Sequence, residues 1–356
     1  MFGDVYKGRK VLLTGHTGFK GSWLSFWLQQ LGAQVCGIAL PPATEPAHYK
    51  LLKPAVRSVE EDIRNREILQ TVFEAYRPEI VFHLAAQPLV RKSYQNPVET
   101  FETNVIGTVN VLECCRRTSS VKAVVVISSD KCYENREQLE GYQETDPMGG
   151  FDPYSASKGC TELAAASYRN SFFRESGILL ATARAGNVIG GGDWAEDRLV
   201  PDAMAAAAEG EEMHLRNPAS IRPWQHVLDP LSGYLLLGEK LFEGDPSAAE
   251  AWNFGPDDNS LITTEHAVEL LQKGWNAVRF TYTPSDSAPH EAKILRLNCE
   301  KARTRLLWAP VWNAETAFRK TAVWYREYYT AYNLNTKKDL EDYISDAEKA
   351  GLSWIN

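Results

Sequence analysis

The chain has 356 residues, 44% hydrophobic and 24% charged, and is therefore long enough to bury one large core or two smaller ones. Its formal net charge of −8 argues against broad nucleic-acid binding, which needs an excess of basic side chains. No run approaches the roughly 18 apolar residues of a membrane span, and charges stand where a signal peptide needs an apolar core, so we expect a cytoplasmic protein.

Apolar runs and segments of helical spacing alternate through the first half of the chain. A predicted helix over 19–31 follows the first apolar run. Unbroken apolar runs are typical of parallel strands that are buried on both faces. The predicted strands cover residues 10–14, 34–40, 79–85, 121–128 and 178–183. This alternation predicts an α/β fold with a doubly wound parallel sheet of the Rossmann type and right-handed crossovers.

The regular alternation ends near residue 186, where glycine, proline and tryptophan become frequent. We predict a smaller, irregular α/β domain there, while segment 226–242 has the pattern of a strand and a helix that return to the first domain. The charged, amphipathic tail from Lys337 predicts a packed surface helix rather than a partner-binding element. The predicted division assigns 1–185 and 226–256 to the first domain, and 186–225 and 257–356 to the second.

A glycine-rich segment joins the first predicted strand to the first predicted helix with the spacing GxxGxxG. Small residues allow the backbone to approach a pyrophosphate, whose charge the helix N-terminus favours. Such a pattern can also be a purely structural turn, but its position directly after the first strand favours dinucleotide binding. The predicted cofactor-binding residues of this turn are Gly15, His16, Thr17, Gly18, Phe19, Lys20 and Gly21.

The end of the second predicted strand helps to choose between NAD and NADP. An acidic residue there favours a free ribose hydroxyl, and an arginine favours a 2′-phosphate. The sequence reads Ile38-Ala39-Leu40-Pro41-Pro42 and has neither, and the missing arginine favours NAD. For His16 two alternatives stay open, namely a ring that crowds or contacts the cofactor and a ring that faces solvent.

Tyr154 and Lys158 are four residues apart, so a helix places both side chains on one face. A nearby ammonium lowers the pKa of a tyrosine and makes it a usable general base. The spacing alone arises often by chance. Here it follows Ser128-Ser129-Asp130-Lys131, which close the strand at 121–128, at the sheet edge where such folds bind ligands. These residues are therefore the candidate catalytic site.

The motifs together resemble the extended short-chain dehydrogenase/reductase family over essentially the whole chain. They are TGHTGFKG (14–21), HLAAQ (83–87), SSDKCY (128–133), YSASK (154–158) and RAGNVIGGGDW (184–194), in this order. Within that family, SSDKCYEN, RAGNVIGGGDW and RPWQHVLDPLSGYL (222–235) resemble the CDP-glucose 4,6-dehydratases. The resemblance implies an NAD-dependent lyase that converts CDP-D-glucose to CDP-4-keto-6-deoxy-D-glucose, a precursor in deoxysugar synthesis for surface polysaccharides such as the O-antigen of lipopolysaccharide.

The resemblance also implies a role for each candidate catalytic residue. Tyr154 would take the C4 hydroxyl proton, Lys158 would lower its pKa and bind the nicotinamide ribose, and Ser129 would hydrogen-bond the C4 oxygen. Asp130 would be the acid at the C6 hydroxyl. Related dTDP-glucose enzymes carry a glutamate as the C5 base where this chain has Lys131. Lys131 could be that base, or it could stabilise the enolate while another group moves the proton.

Further binding residues follow from the same resemblance. Asp62 would contact the adenine amino group beside Ile63, although Asp62 could instead cap the next helix. Asn104 would be supporting structure. The usual arginine near the last substrate loop is missing, and Lys293 is the candidate substitute. The other implied cofactor residues are Leu84, Ala85, Ala86 and Ser128, and the other implied substrate residues are Gln87, Asn187, Arg198, Leu199, Arg216 and Arg222.

Two further properties concern partners and metals. Helical segments over 97–118 and 153–176 have large apolar faces, which the resemblance implies would pair two subunits, so we expect a homodimer or a dimer of dimers. The six cysteines match no metal-ligand spacing, and we expect free thiols and no bound metal.

Two alternative functions stay open from the sequence. A nucleotide-sugar 4-epimerase, or a dehydratase for another nucleotide, would use the same Tyr154 and Lys158, but an epimerase needs no acid–base pair for elimination, such as Asp130 and Lys131. A non-catalytic dinucleotide-binding regulator would have no need for Tyr154, Lys158 and Ser129 together.

Overall fold

A computed structural model describes residues 1–138, 140–215, 217–282 and 295–356. The strands are β1 (Lys10–Thr14), β2 (Gln34–Ala39), β3 (Arg57–Glu60), β4 (Ile80–His83), β5 (Ala123–Ile127), β6 (Leu179–Ala185), β7 (Asn187–Ile189), β8 (Met213–Leu215), β9 (Ile221–His226), β10 (Ala251–Phe254), β11 (Leu261–Thr263) and β12 (Phe280–Tyr282). The helices are α1 (Phe19–Gln30), α2 (His48–Leu52), α3 (Arg66–Tyr76), α4 (Val90–Gln95), α5 (Pro97–Phe101), α6 (Gly107–Arg117), α7 (Pro153–Tyr168), α8 (Arg174–Ser176), α9 (Leu199–Glu209), α10 (Leu228–Phe242), α11 (Thr264–Gly274), α12 (Glu300–Arg305), α13 (Ala314–Ala331) and α14 (Thr336–Lys349).

Seven of these strands form one sheet in the order β10-β6-β5-β4-β1-β2-β3, and every neighbouring pair is parallel. The order runs outward in both directions from β1 and β4, as in a doubly wound sheet. Each strand predicted from an apolar run is present. The predicted α/β fold with a Rossmann-type sheet is therefore confirmed.

Helices cover both faces of this sheet, which explains why its central strands are apolar throughout. Because successive side chains of a strand point to opposite faces, Leu13 and Val125 pack in one hydrophobic core with Trp23 of α1, whereas Leu12 and Val124 pack in another. The second core contains residues of α3, α6 and α7. The sheet is thus the rigid platform from whose carboxyl ends the candidate site residues extend.

Two smaller sheets lie beyond the main one in the chain. One has the order β11-β9-β7 and the other pairs β12 with β8. Helices α9, α11 and α13 contribute to a third hydrophobic core beside them. After α10 the chain returns to the main sheet, because β10 pairs with β6. The division of the chain into two domains remains a prediction.

The tail forms the predicted amphipathic helix α14, with Leu340, Tyr343 and Ala347 buried. Tyr343 stacks on Trp354, and Trp354 stacks in turn on Phe2. The two ends of the chain therefore meet in one aromatic cluster. No helix in the described parts of the chain is long and apolar enough to cross a membrane.

Asp229, in the first turn of α10, is fully buried at the junction with α14. Its Oδ1 accepts hydrogen bonds from the backbone amide of Val311 (2.7 Å) and from the hydroxyl of Tyr343 (2.9 Å). Its Oδ2 has no partner among the described residues. Burial raises the pKa of this carboxyl to about 7, since the protein interior disfavours the ionised form.

We expect this carboxyl to make stability fall as pH rises. Between its ordinary pKa near 4 and its folded pKa near 7, the folded protein keeps a proton that the unfolded chain releases, so rising pH favours unfolding. Asp229→Asn, which keeps the oxygen acceptor, should raise the melting temperature at pH 8 and flatten its decline above pH 5. Some decline should persist, because burial also raises the pKa of Asp339 to about 7. Parallel melting curves of both proteins check this.

Candidate active site

The glycine turn between β1 and α1 is compact. Gly15 has a φ of +75°, which L side chains rarely adopt, and Gly18 is the N-cap of α1. A Cβ on Gly21 would lie 2.0 Å from the carbonyl oxygen of Gly15, and one on Gly15 would lie 2.7 Å from the backbone nitrogen of Ala85. Only glycine fits at these two positions. Because Gly18 and Gly21 have no side chains, neither residue covers the backbone amides of the first turn of α1.

His16 is fully buried, so the solvent-facing alternative is wrong. Its ring fills the space beside Gly37 of β2, where a Cβ would lie 2.3 Å away, and its Nε2 lies 2.8 Å from the Ser58 hydroxyl. Tyr49 meets the ring edge to face at 4.9 Å. Burial lowers the pKa of His16 to about 4, so the ring is neutral near neutral pH. Contact with a cofactor remains a prediction.

Thr17, Phe19 and Lys20 extend from the same turn in different directions. The Thr17 hydroxyl donates to the carbonyl of Leu40, just beyond β2 (2.8 Å), and the Phe19 ring lies beside Gly190. The Lys20 Nζ lies 3.4 Å from the hydroxyl of Tyr234 on α10. Burial, together with the nearby charges of Lys158 and Arg198, lowers the pKa of Lys20 to about 7. Lys20 therefore lies near Lys158 and Arg198.

A short 3-10 turn, Asp130–Cys132, follows β5 and fixes the next candidate residues. Ser129 caps this turn by accepting from the backbone amide of Lys131 (3.2 Å), and its hydroxyl donates to Asp130 Oδ1 at 2.7 Å. Ser128, Ser129 and Asp130 are buried, whereas Lys131 is partly exposed. Two hydroxyls and a carboxylate are thus held together at the carboxyl end of a central strand.

Helix α7 carries Tyr154 and Lys158 to the same place. Its start is set by Pro153 in the first turn and by Asp152, whose carboxylate accepts from the backbone amide of Ser155 at 2.9 Å. Tyr154 lies beside Ser129, whose hydroxyl favours its ionised form. Both Tyr154 and Lys158 are buried. The structure therefore brings together the tyrosine, the serine and the carboxylate from separate parts of the sequence.

The electrostatics of Tyr154 differ from the expectation. Burial, and secondarily the Asp130 charge, raises the pKa of Tyr154 to about 12, although the hydrogen bond with Ser129 opposes this. The Lys158 Nζ donates to the carbonyl oxygen of Ile127 (3.4 Å). Burial lowers the pKa of Lys158 to about 8, against the opposing charge of Glu162. Without further positive charge the tyrosine therefore stays protonated.

A buried ion pair supports this arrangement and was not predicted from the sequence. Glu162 and Arg184 are joined at 2.8 Å, with only 4% of each side chain exposed. Glu162 also accepts hydrogen bonds from the hydroxyls of Ser128 and of Thr182 (2.7 Å). Arg184 donates to the Tyr133 hydroxyl at 2.6 Å. Glu162 lies one turn beyond Lys158 on α7, and it thus joins this helix to Ser128 at the end of β5 and to Arg184 of β6.

The residues expected at the adenine end lie beside β3 and α6. Asp62 does not cap α3, because Asn65 does so by accepting from the amide of Ile68. The Asp62 carboxylate accepts instead from the backbone amide (2.8 Å) and guanidinium (2.7 Å) of Arg64. Although partial burial opposes it, these bonds lower the pKa of Asp62. Ile63 is buried beside Gly107 of α6.

The segment that follows β4 runs beneath the glycine turn. Leu84, Ala85 and Ala86 are partly buried there. The Gln87 amide group is satisfied locally, because its nitrogen donates to the carbonyl of Leu89 (3.1 Å) and its oxygen accepts from the Leu89 amide (2.7 Å). A substrate contact by the Gln87 side chain remains a prediction.

The candidate substrate residues come from the smaller sheet and the helix beside it. Asn187 begins β7 opposite Trp224 of β9. Arg198 stands at the start of α9, directly before Leu199, and its guanidinium binds Asp193 at 2.9 Å. Arg222 lies on β9 and pairs in register with Ile262. The remaining two candidates, Arg216 and Lys293, lie outside the described residues.

Comparison with known proteins identifies the family. The family model described as GDP-mannose 4,6 dehydratase matches residues 12–321. The chain belongs to this family. It is also 46% identical over 351 residues to the CDP-glucose 4,6-dehydratase of Salmonella typhimurium, covering 96% of this chain and 98% of that protein. The resemblance seen in the motifs is therefore confirmed.

Other relatives share the fold across most of the chain. A probable dTDP-glucose 4,6-dehydratase of Sinorhizobium fredii is 27% identical and covers 96% of this chain and 99% of its own. The structure of UDP-glucose 4-epimerase from Thermotoga maritima, solved with UDP-glucose, has a TM-score of 0.75 at 26% identity and covers 89% of this chain and 99% of its own. The Thermus thermophilus UDP-glucose 4-epimerase, in complex with NAD, has a TM-score of 0.76 at 25% identity, with the same two coverages.

Proposed function

We propose that this protein is a lyase that dehydrates CDP-D-glucose to CDP-4-keto-6-deoxy-D-glucose, using NAD as an internally recycled cofactor. The observation that carries the proposal is the meeting of Tyr154, Ser129 and Asp130 in one buried site. The tyrosine suits oxidation at C4, and the carboxyl group supplies the acid that elimination needs. The 46% identity to a CDP-glucose 4,6-dehydratase over nearly the whole of both chains supports the choice of substrate.

The residues of the glycine turn fit a dinucleotide. A pyrophosphate needs close approach of the backbone and free amides at a helix N-terminus. Gly15, Gly18 and Gly21 supply both, since the turn leaves no room for a Cβ at Gly15 or Gly21 and Gly18 begins α1. NAD, when bound, accepts the hydride from C4 and returns it to C6, so no external reductant is consumed.

The proposed roles in oxidation follow from these contacts. Ser129 hydrogen-bonds the C4 oxygen. Tyr154 removes the proton of the C4 hydroxyl as the hydride leaves C4. The pKa of Tyr154 is about 12 in the ligand-free protein, so Tyr154 needs added positive charge beside it to act as a base. Lys158 would hold the nicotinamide ribose and supply part of that charge, and a bound nicotinamide would supply the rest.

Elimination requires an acid at C6 and a base at C5. Oxidation at C4 acidifies the C5 proton, since the resulting carbanion is stabilised as an enolate. Asp130 gives its proton to the C6 hydroxyl as the C6–O bond breaks, and water leaves. Lys131 is placed directly after Asp130 and is partly exposed, and we assign it the C5 proton, which it must accept as a neutral amine and return to C5 when C6 is reduced.

Replacing Asp130 with asparagine should block elimination and leave oxidation in place. The amide keeps the shape of the carboxyl and its hydrogen bond with Ser129, but it cannot donate a proton as an acid. We expect kcat for dehydration to fall by about 10²–10⁴-fold. Reduced cofactor should accumulate on mixing with substrate, and its absorbance measures this directly. If the variant loses both the absorbance change and dehydration, the result contradicts the role of Asp130 in elimination.

The proposed substrate site uses residues of the small sheet β11-β9-β7 and of α9. Arg198 and Arg222 are the candidate diphosphate ligands, because a guanidinium binds phosphate oxygens with two parallel hydrogen bonds. Asn187 lies on β7, the strand that pairs with the β9 strand of Arg222. We assign the same role to Arg216 and Lys293. The preference for a cytidine nucleotide is supported by similarity to the CDP-glucose 4,6-dehydratase.

Asp62 and Ile63 belong to the cofactor site, and we assign them to the adenine of NAD.

We further propose a homodimer or a dimer of dimers, formed through α5, α7 and the π-helical turn Glu102–Ile106 between α5 and α6. Apolar side chains on this face are exposed, with Val98 69%, Ile106 53% and Leu163 60% accessible. Exposed apolar surface of this kind marks interfaces. Sedimentation of wild type should show a dimer or larger, and Ile106→Glu should shift it toward monomer. A wild-type monomer at every concentration would contradict the proposal.

We propose that the protein acts in the cytoplasm. Cys36, Cys114, Cys115, Cys132, Cys160 and Cys299 are all free thiols, as a reducing compartment permits. The product chemistry supports a place in deoxysugar synthesis for surface polysaccharide.

The deciding experiment incubates the purified protein and NAD with CDP-, dTDP-, UDP- and GDP-linked glucose or mannose and follows the products by mass spectrometry. We expect the mass of one water to be lost from CDP-glucose and not from the other substrates. An unchanged mass with inverted C4 stereochemistry would establish a 4-epimerase instead. Loss of water from another nucleotide-sugar would show that the enzyme recognises a nucleobase other than cytosine.

A further inference from the structure

His83, the last residue of β4, is a buried histidine that has no part in the proposed mechanism. It is only 2% exposed and lies in register with Thr14, the last residue before the glycine turn. Its Nδ1 is 2.7 Å from the Thr14 hydroxyl oxygen, and its Nε2 is 2.9 Å from the Thr108 hydroxyl oxygen on α6. The ring therefore bridges the cofactor turn to the helix layer.

The direction of each hydrogen bond in this bridge is fixed. The Thr14 hydroxyl oxygen already accepts from the backbone amides of Leu84 (3.1 Å) and Ala85 (3.2 Å), which use both of its lone pairs. Its proton must therefore go to Nδ1 of His83. The ring is then a neutral imidazole with its proton on Nε2, and it donates that proton to Thr108.

The chain of hydrogen bonds continues from α6 to the helix that carries the catalytic tyrosine. The Thr108 hydroxyl donates to the carbonyl of Asn104 at 2.7 Å. The Asn104 side chain donates to the carbonyl of Gln87 (3.1 Å) and to the Ser157 hydroxyl (2.8 Å). The Ser157 hydroxyl donates in turn to the carbonyl of Tyr154 at 2.7 Å. One directional network thus joins the glycine turn, segment 84–87 and α7.

We propose that His83 is a positioning residue that holds the glycine turn against segment 84–87 and sets the distance between the cofactor turn and α7. The fit there is tight, since Gly15 has no space for a Cβ above Ala85. A small shift of Thr14 would move the turn and the amides of α1 with it. The proposal rests on the proposed NAD site, and it concerns binding of the cofactor before any substrate is present.

The test compares His83→Leu with a matched control, His48→Leu. His48 is also a buried histidine between two hydroxyls, since Nδ1 lies 2.7 Å from Ser22 Oγ and Nε2 lies 2.8 Å from Thr336 Oγ1. It joins α1 to α14 rather than the turn to α7. Both variants should lose stability, but only His83→Leu should weaken NAD binding, by about tenfold or more in Kd, and lower kcat by about 100-fold.

A conservative variant separates positioning from general packing. In His83→Asn the amide oxygen stands near the place of Nδ1 and can still accept from Thr14, so its NAD Kd should lie closer to wild type than that of His83→Leu. Calorimetric titration of each folded variant with NAD alone gives these constants. Equal NAD Kd values for wild type and His83→Leu would overturn the proposal, as would an equal weakening by His48→Leu.

Two controls keep the outcome clear. If His83→Leu does not fold, Thr108→Val takes its place, because it removes the hydroxyl that orients the ring; a several-fold weaker NAD complex is expected, and an unchanged Kd would overturn the proposal. If wild type binds NAD but does not dehydrate CDP-glucose, the proposed function fails, while the comparison of NAD constants still decides the role of His83.

Discussion

Tyr154→Phe is expected to lower kcat for dehydration by about three orders of magnitude while NAD still binds. The variant removes only the hydroxyl oxygen, which lies beside Ser129 in the ligand-free protein. Without it the proposed base for the C4 hydroxyl proton is missing when the hydride leaves. Oxidation at C4 is the first step, so every later step is lost with it. Steady-state kinetics and a titration with NAD measure the two effects separately.

Tyr6→Phe is the matched control for this variant. The Tyr6 hydroxyl is also buried and donates to the carbonyl of Leu235 at 2.5 Å, but Tyr6 precedes β1, at the opposite end of the sheet from the site. Its loss should cost about 1 kcal/mol of stability and leave kcat unchanged. If Tyr154→Phe keeps more than a tenth of wild-type kcat, another group is the base. A matched fall in the control would point to general destabilisation.

The central sheet could be predicted from the sequence because its strands are buried on both faces. The apolar run at 10–14 became β1 (Lys10–Thr14) without any shift, and the run at 121–128 contains β5 (Ala123–Ile127). Strand β3 (Arg57–Glu60) was missed, since it lies at the sheet edge and its side chains are mostly exposed. An edge strand with no buried face leaves no apolar pattern to detect.

The grouping of the candidate site residues was predictable where it follows local spacing. Tyr154 and Lys158 lie one helical turn apart, and Ser129 and Asp130 close a recognisable strand. The network behind them was not predictable, because its partners are far apart in sequence. Arg184 meets Glu162 across 22 residues, and His16 meets Ser58 across 42. No periodicity links such pairs, and they meet only when α7 packs on the sheet and the strands pair.

Breaking the buried Glu162–Arg184 pair should cost much stability. We expect Glu162→Ala to destabilise the protein by about 3–5 kcal/mol, because it leaves the Arg184 guanidinium buried without its counter-charge. The hydroxyls of Ser128 and Thr182 lose their acceptor as well. Urea unfolding of wild type and variant gives the difference in the free energy of unfolding.

Two further variants identify burial as the cause. Arg136→Ala removes an exposed pair with Glu134, whose side chains are 61% and 52% accessible, and should leave the midpoint of urea unfolding nearly unchanged. Glu162→Leu combined with Arg184→Met removes both buried charges, so it should recover part of the stability that Glu162→Ala loses. If the double variant is less stable than Glu162→Ala, the loss comes from the hydrogen bonds and packing of the pair rather than from an unpaired charge. The activity of the double variant should stay low even where it folds. Glu162 accepts the hydrogen bond of Ser128, the neighbour of Ser129, and its charge favours the protonated form of Lys158.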